Sequence, residues 1–345
     1  MKTRTLFFLL GILTAFHSCS TEVDLHADYK QVPIVYALLD CRADTNFIKI
    51  TRSFYTQSDA YLTAANPDSC NYPGKLDARL VEYRNGDSLR EIILDTITIR
   101  NKKPGIFYAP LQKLYYTTER LGSNTANQKF SYKLKVVLPD RVLIAQADLV
   151  GNNGFGMKSL GVNFSKEYIG KPPQKFLFYP AINAHFYEVD MAFTFLEQRD
   201  PDGDSVPRTM QWHVGTFMEH YLSTHLMLES YAFTYYPGTF YEKLSEFIGG
   251  DTLVAGMKRY IQDYPIEVII TAGGSNLWHY VHTNNAANGF VSGETDFTLL
   301  DGAHGVFSSR VTTRRALRLA GETVPDLLAM TNYQFFFIGG RQEEE

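Results

Sequence analysis

The chain has 345 residues, beyond the ~250–300 at which a single core usually stops growing, so two domains are expected. With 45% apolar, 14% aromatic and 20% charged residues it is not a disordered chain, and it has ample material for a core. Its 33 basic and 37 acidic side chains (net −4) form no basic stripe, which argues against a nucleic-acid partner, and three cysteines are too few for a disulfide-stapled scaffold.

Residues 1–18 read as a secretory signal. Met1-Lys2-Thr3-Arg4 is a short basic region and Leu6 to Phe16 an apolar stretch too short for a bilayer span of ~20 residues. The order Phe16-His17-Ser18-Cys19 resembles a bacterial lipoprotein signal, in which a small residue precedes a cysteine that becomes the new N-terminus and carries diacylglycerol on its thiol. Ser18 fits the small position; Phe16 stands where Leu is usual. An ordinary signal peptide with a chance cysteine is the alternative. Cys19 is thus the expected lipidation site, residues 19–31 a polar tether, and two or more acyl chains a durable anchor. Loss of Lys2 and Arg4 leaves the body more acidic, so anionic headgroups would add nothing to the lipid.

Residues 32–150 are expected to form an N-terminal β-sandwich of immunoglobulin or fibronectin type. Ile48, Ile50 and Arg52 alternate with Phe47, Lys49, Thr51 and Ser53; Leu76, Ala78 and Leu80 repeat the pattern; Tyr132, Leu134, Val136 and Leu138 alternate with Lys133 and Lys135. Turn signals punctuate these runs, among them Asn66-Pro67-Asp68, Tyr72-Pro73-Gly74 and Lys103-Pro104-Gly105. Asn85-Gly86 is the clearest hairpin.

Gly151-Asn152-Asn153-Gly154-Phe155-Gly156 and Gly170-Lys171-Pro172-Pro173 suggest a linker over 151–173. Residues 174–340 would then form a C-terminal β domain. Tyr187, Val189, Met191, Phe193 and Phe195 share one face of a long strand that turns at Asp200–Asp204 and returns through Met210, Trp212 and Val214. The period then changes. Phe240, Leu244, Phe247 and Ile248, and again Leu253, Val254, Met257, Tyr260 and Ile261, follow helical spacing, with Glu242, Lys243, Glu246, Lys258 and Arg259 opposite. An inserted helical pair near 240–263, ended by Pro265, is expected on the sheet of this domain. Further strands are expected at Ile266–Thr271, Leu277–His282, Gly305–Arg310 and Tyr333–Ile338.

No residue set carries catalysis, metal or cofactor in this reading. Asp200-Pro201-Asp202-Gly203-Asp204 lacks the Gly and Glu that an EF-hand loop needs at its sixth and twelfth positions, where Ser205 and Gln211 stand. His220 and His225 lie five apart, and on a strand His279 and His282 would face opposite ways. Gly273-Gly274-Ser275 is not a nucleophile elbow. Cys41 and Cys70 are a possible disulfide that spacing alone leaves open. The Tyr-rich stretch Tyr231–Tyr241 is either packing or a contact surface.

The segments Pro33-Ile34-Val35-Tyr36-Ala37-Leu38-Leu39-Asp40 and Phe47-Ile48-Lys49-Ile50-Thr51-Arg52-Ser53-Phe54 resemble the opening strands of a lipoprotein family of Bacteroidota-type bacteria, catalogued as domain of unknown function 4249. Tyr132-Lys133-Leu134-Lys135-Val136 and Gly302–Arg310 are similar as well. The resemblance implies an outer-membrane lipoprotein, often associated with TonB-dependent transporters, with no established activity and no site residues to carry over. Glu22 and Asp24 after Cys19 resemble the acidic export tag of surface lipoproteins, which leaves a periplasmic or a surface-exposed face open. The function expected is non-catalytic: an accessory or ligand-binding lipoprotein. The alternatives are an adhesive or structural surface lipoprotein, or a secreted hydrolase with a scattered site.

Overall fold

The computed structural model describes residues 31–219, 223–225, 230–249, 256–287, 300 and 302–338. Cys19, its signal and the tether to residue 30 lie outside them, as do His220, Leu253 and Val254. The fold is mainly β.

The N-terminal part contains β1 (Pro33–Leu39), β2 (Asn46–Arg52), the short helices α1 (Ala60–Ala64) and α2 (Pro67–Cys70), β3 (Asp77–Arg84), β4 (Asp87–Ile93), β5 (Asp95–Arg100), β6 (Leu111–Thr117), β7 (Phe130–Val137) and β8 (Val142–Asp148). Alternation places Ile48 and Ile50 of β2, and Tyr132, Leu134 and Val136 of β7, fully inside. The sheet β4-β3-β7-β8 shares one apolar core with β1 and β2. Asn85 (φ 52°) and Gly86 (φ 95°) make the turn between β3 and β4; positive φ at both central residues is what a type I′ hairpin turn requires.

After this come β9 (Gly156–Met157), β10 (Gly161–Asn163), β11 (Gln174–Tyr179), β12 (Phe186–Gln198), β13 (Val206–Met218), β14 (Ser223–His225) and β15 (Ser230–Tyr235). The chain continues through α3 (Pro237–Ile248), β16 (Lys258–Gly273), α4 (Ser275–Ala287), β17 (His304–Ala320), α5 (Thr323–Leu328) and β18 (Phe335–Phe337). Tyr187, Val189, Met191, Phe193 and Phe195 of β12 are all fully buried, as their spacing predicts. They form a second core with Phe176 and Phe178 of β11, Phe233 of β15, and α3.

Five expectations are corrected. The stretch 151–173 is not a free linker: it carries β9 and β10 and buries Phe155, Met157, Val162 and Phe164. Gly151 is held at φ +110°, where a Cβ would sit 2.9 Å from both Cys41 Sγ and Val311 Cγ1. Of the helical pair, the first member is a helix, and the described part of the second is not. Lys258–Gly273 is one strand, so Met257, Arg259 and Ile261 alternate inward and Lys258 outward. Pro265 does not end an element; it lies where the pairing with β12 slips between Phe193 and Phe195, a bulge that tolerates a residue without N–H. Leu277–His282 is helical, within α4: Leu277, Tyr280 and Val281 recur at helical spacing and line a cavity with Tyr36 and Phe47, the Tyr280 ring 6.1 Å from that of Tyr36.

The last correction concerns the partition of the chain. Leu300, Ala303 and Phe307 belong to the N-terminal core. β17 runs for 17 residues, about 55 Å at the usual strand rise. Its first part pairs in parallel with β1 (Ile34↔His304 to Leu39↔Ser309) and its later part antiparallel with β16 (Gly273↔Arg310 to Ile266↔Leu317). The order β13-β12-β16-β17-β1-β2-β6-β5 is therefore a single sheet crossing both cores, with β10 on β17 and β18 on β16.

Candidate functional site

The alternation that buries Ile48 and Ile50 turns Lys49 and Thr51 to the other face of β2, and likewise turns Ile34 and Tyr36 of β1 outward. Over this outer face the chain folds back twice. One cover is α1 and α2, each opened by a side-chain cap: Asp59 accepts from Tyr61 N (2.7 Å) and Asn66 from Asp68 N (3.0 Å). The other is the segment before β6, tied to α1 by Tyr108 N donating to Ala64 O (3.1 Å). Between sheet and covers lies a cavity of about 440 Å³, in the size range of small-molecule sites.

Its walls are apolar where Ile34, Tyr36, Phe54, Phe107 and Leu111 line it, and its charged lining groups are Lys49, Arg52 and Lys102; among the described residues no carboxylate lines it. Each cation bonds to a neutral oxygen. Lys49 Nζ donates to Gln112 Oε1 (3.2 Å), Lys102 Nζ to Tyr108 O (2.7 Å) and Arg52 Nη2 to Asp68 O (3.1 Å). Arg52 also stands 5.7 Å from the Tyr72 ring, and Lys102 5.6 Å from that of Phe107. Arg52 Nε is buried with no hydrogen-bond partner. Burial, and then the charge on Lys102, push the Lys49 ammonium below its ordinary value. Burial pushes the Cys70 thiol up, against the pull of the three cations, which keeps it protonated and a poor nucleophile.

Cys70 thus forms part of the cavity wall, while Cys41 lies at the junction of the two cores with Sγ 3.6 Å from Val150 O. Both thiols are free, so the disulfide left open by spacing is not formed. Asp200–Asp204 is a turn closed on itself, Gly203 N donating to Asp200 O (3.0 Å). His279 and His282 share α4 rather than opposite strand faces, and the His279 ring is 6.1 Å from that of His185. Among the described residues no group of three His, Cys, Asp or Glu is placed to hold a metal ion. In the Tyr-rich stretch, Tyr235 and Tyr241 are buried and Tyr236 exposed.

One polar row escapes a reading by motif: His213 Nδ1 is 2.9 Å from Asp190 Oδ1, and His213 Nε2 3.3 Å from Thr216 Oγ1. It stands on the open face of the β12–β13 hairpin, with Asp190 and His213 about half exposed. In such water-exposed surroundings charge developing on a hydroxyl gains little from its neighbours. The cavity over β2 is equally invisible to alternation, which leaves Lys49 on the wet side of a strand and groups Arg52 with the inward Ile48 and Ile50. The only signal was the break in alternation after Arg52, where a turn-rich excursion separates β2 from β3. No protein-family model and no curated protein sequence matches this chain.

Proposed function

We propose that this protein is a non-catalytic lipoprotein of a bacterial outer membrane, anchored by lipid on Cys19, that binds a small ligand in the cavity over β2 and works beside a TonB-dependent transporter. The observation that carries the reading is the cavity itself: apolar walls, three cations and a protonated thiol make a binding surface with no activated nucleophile. The basic, apolar and small-residue order ending at Cys19 supports the anchor, and the likeness of the opening strands to the lipoprotein family of unknown function supports the company it keeps. No helix among the described residues is long and apolar enough to cross a membrane. In this reading attachment rests on the lipid.

The test uses the full chain expressed in a host that processes lipoproteins. Cys19→Ala is expected to keep the wild-type melting temperature but to leave the membrane fraction on a high-salt wash. The wild type, solubilised in mild detergent, is expected to bring down a β-barrel transporter identified by mass spectrometry. A variant that still sediments with membranes overturns the anchor; a wild type that captures no transporter overturns the partnership.

A further inference from the structure

Three cations around one cavity are an arrangement that folding alone does not favour. Lys49 and Lys102 are close enough for one to depress the other, and like charges that lose water repel more strongly than in solution. Among the described residues none of the three cations has a carboxylate partner, although the chain has more acidic than basic side chains. Arg52 can donate further: Nη2 is taken by Asp68 O, while Nε is buried and unsatisfied, a costly state unless something accepts from it. The positive end therefore asks for an anion. The lining also holds Phe107, Phe54, Leu111 and Ile34, which ask for apolar surface beside the charge, Lys102 standing 5.6 Å from the Phe107 ring, and Phe107 with neighbouring Ile106 remains half-exposed.

We propose that the cavity over β2 binds a small carboxylate-headed amphiphile, the head lying among Lys49, Arg52 and Lys102 and the hydrocarbon or aromatic body against the Phe107 wall. The proposal rests on the reading of this cavity as the ligand site. An inorganic anion would leave the apolar wall bare, and a neutral amphiphile would desolvate two ammonium groups without a counter-charge. The binding carries a pH signature. An anion stabilises the charged form of Lys49, so affinity is full while Lys49 is protonated and falls as pH rises through its depressed pKa. Burial holds the Cys70 thiol up and, with the Tyr280 contact, pushes Tyr36 up to about 12, so neither gives the cavity a negative charge near neutrality.

The test measures displacement of anilinonaphthalene sulfonate fluorescence from the purified full chain by decanoate, decanol and inorganic phosphate. The wild type, Lys49→Met with Lys102→Met, and the cavity-filling Thr51→Trp are compared, each first checked by thermal melting. Decanoate is expected to displace the probe at least about tenfold more tightly than decanol. The double variant is expected to lose that advantage while keeping its affinity for decanol, and Thr51→Trp to lose both. Equal binding of decanoate and decanol, or an unchanged advantage in the double variant, overturns the anionic head and leaves the ligand site standing. Displacement by phosphate as strong as by decanoate overturns the amphiphile. Decanoate binding that a folded Thr51→Trp leaves intact overturns the cavity as the ligand site, and the proposal with it.

Discussion

Glu197 is buried, with its side chain about 1% exposed, and takes hydrogen bonds from three arginines: Arg199 Nε at 2.9 Å, Arg208 Nη1 at 2.7 Å and Arg259 Nε at 3.0 Å. Arg259 is equally buried and also donates to Tyr333 O (2.9 Å). Burial alone would raise the Glu197 carboxyl; the arginines outweigh it and hold the group below its ordinary value. A carboxyl whose folded pKa is depressed contributes stability in full above its unfolded value, and loses that contribution as pH falls through the folded value. Glu197→Gln is therefore expected to cost about 3–5 kcal/mol near neutral pH, because the buried Arg259 loses the carboxylate it faces. It is also expected to flatten the loss of stability below pH ~4 that this group gives the wild type. Urea unfolding of both proteins between pH 2.5 and 7 checks this; a variant as stable as wild type at pH 7 would show that Arg259 finds other compensation.

Among the elements, α3 behaves as its apolar stripe requires. Pro237 opens it, and Phe240, Leu244 and Ile248 are buried, with Phe240 stacked on Phe164 at 4.3 Å and in edge contact with Phe193 at 5.3 Å. Phe247 is only partly buried, its ring beneath the Arg208 guanidinium at 4.8 Å. Phe240→Ala is expected to cost about 3–5 kcal/mol by leaving a cavity, and Phe247→Ala clearly less, because water can enter the gap it leaves. Thermal melting of the two variants orders them; equal losses would mean that α3 is held by its rim rather than its core stripe. β16 shows why the neighbouring helical spacing misled. Met257, Tyr260 and Ile261 fit a helix, whereas the strand period of Met257, Arg259 and Ile261 demands an arginine inside. That choice becomes affordable only when Glu197 arrives from β12.

At the scale of the molecule, β17 joins the cores, and Gly305 is its tightest point: at φ +104°, its missing Cβ would collide with Val35 O of β1. The backbone conformation alone costs an alanine about 1–3 kcal/mol, and the collision pushes β1 off β17 besides. Gly305→Ala is expected to strip hydrogen-exchange protection from β1 and β2 while β12 and β16 keep theirs, since their pairing lies on the later part of β17. Uniform loss across both cores would instead make the whole sheet one cooperative unit. The mainly-β class, the inward faces of β2, β7 and β12, and the Asn85-Gly86 turn were legible in the sequence, because period-two alternation and positive-φ residues are local properties. So was the first helical stripe. The cation trio, the burial of Arg259, the folding of residues 151–173 into the core and the double pairing of β17 were not. Each depends on a partner far along the chain: Lys49 meets Lys102 through the cover segments, Arg259 meets Glu197 across β12 and β16, and Gly305 meets Val35 across most of the sequence. A pattern read along the chain reports which side of an element is apolar; only tertiary packing decides what that side, or its charged opposite, comes to face.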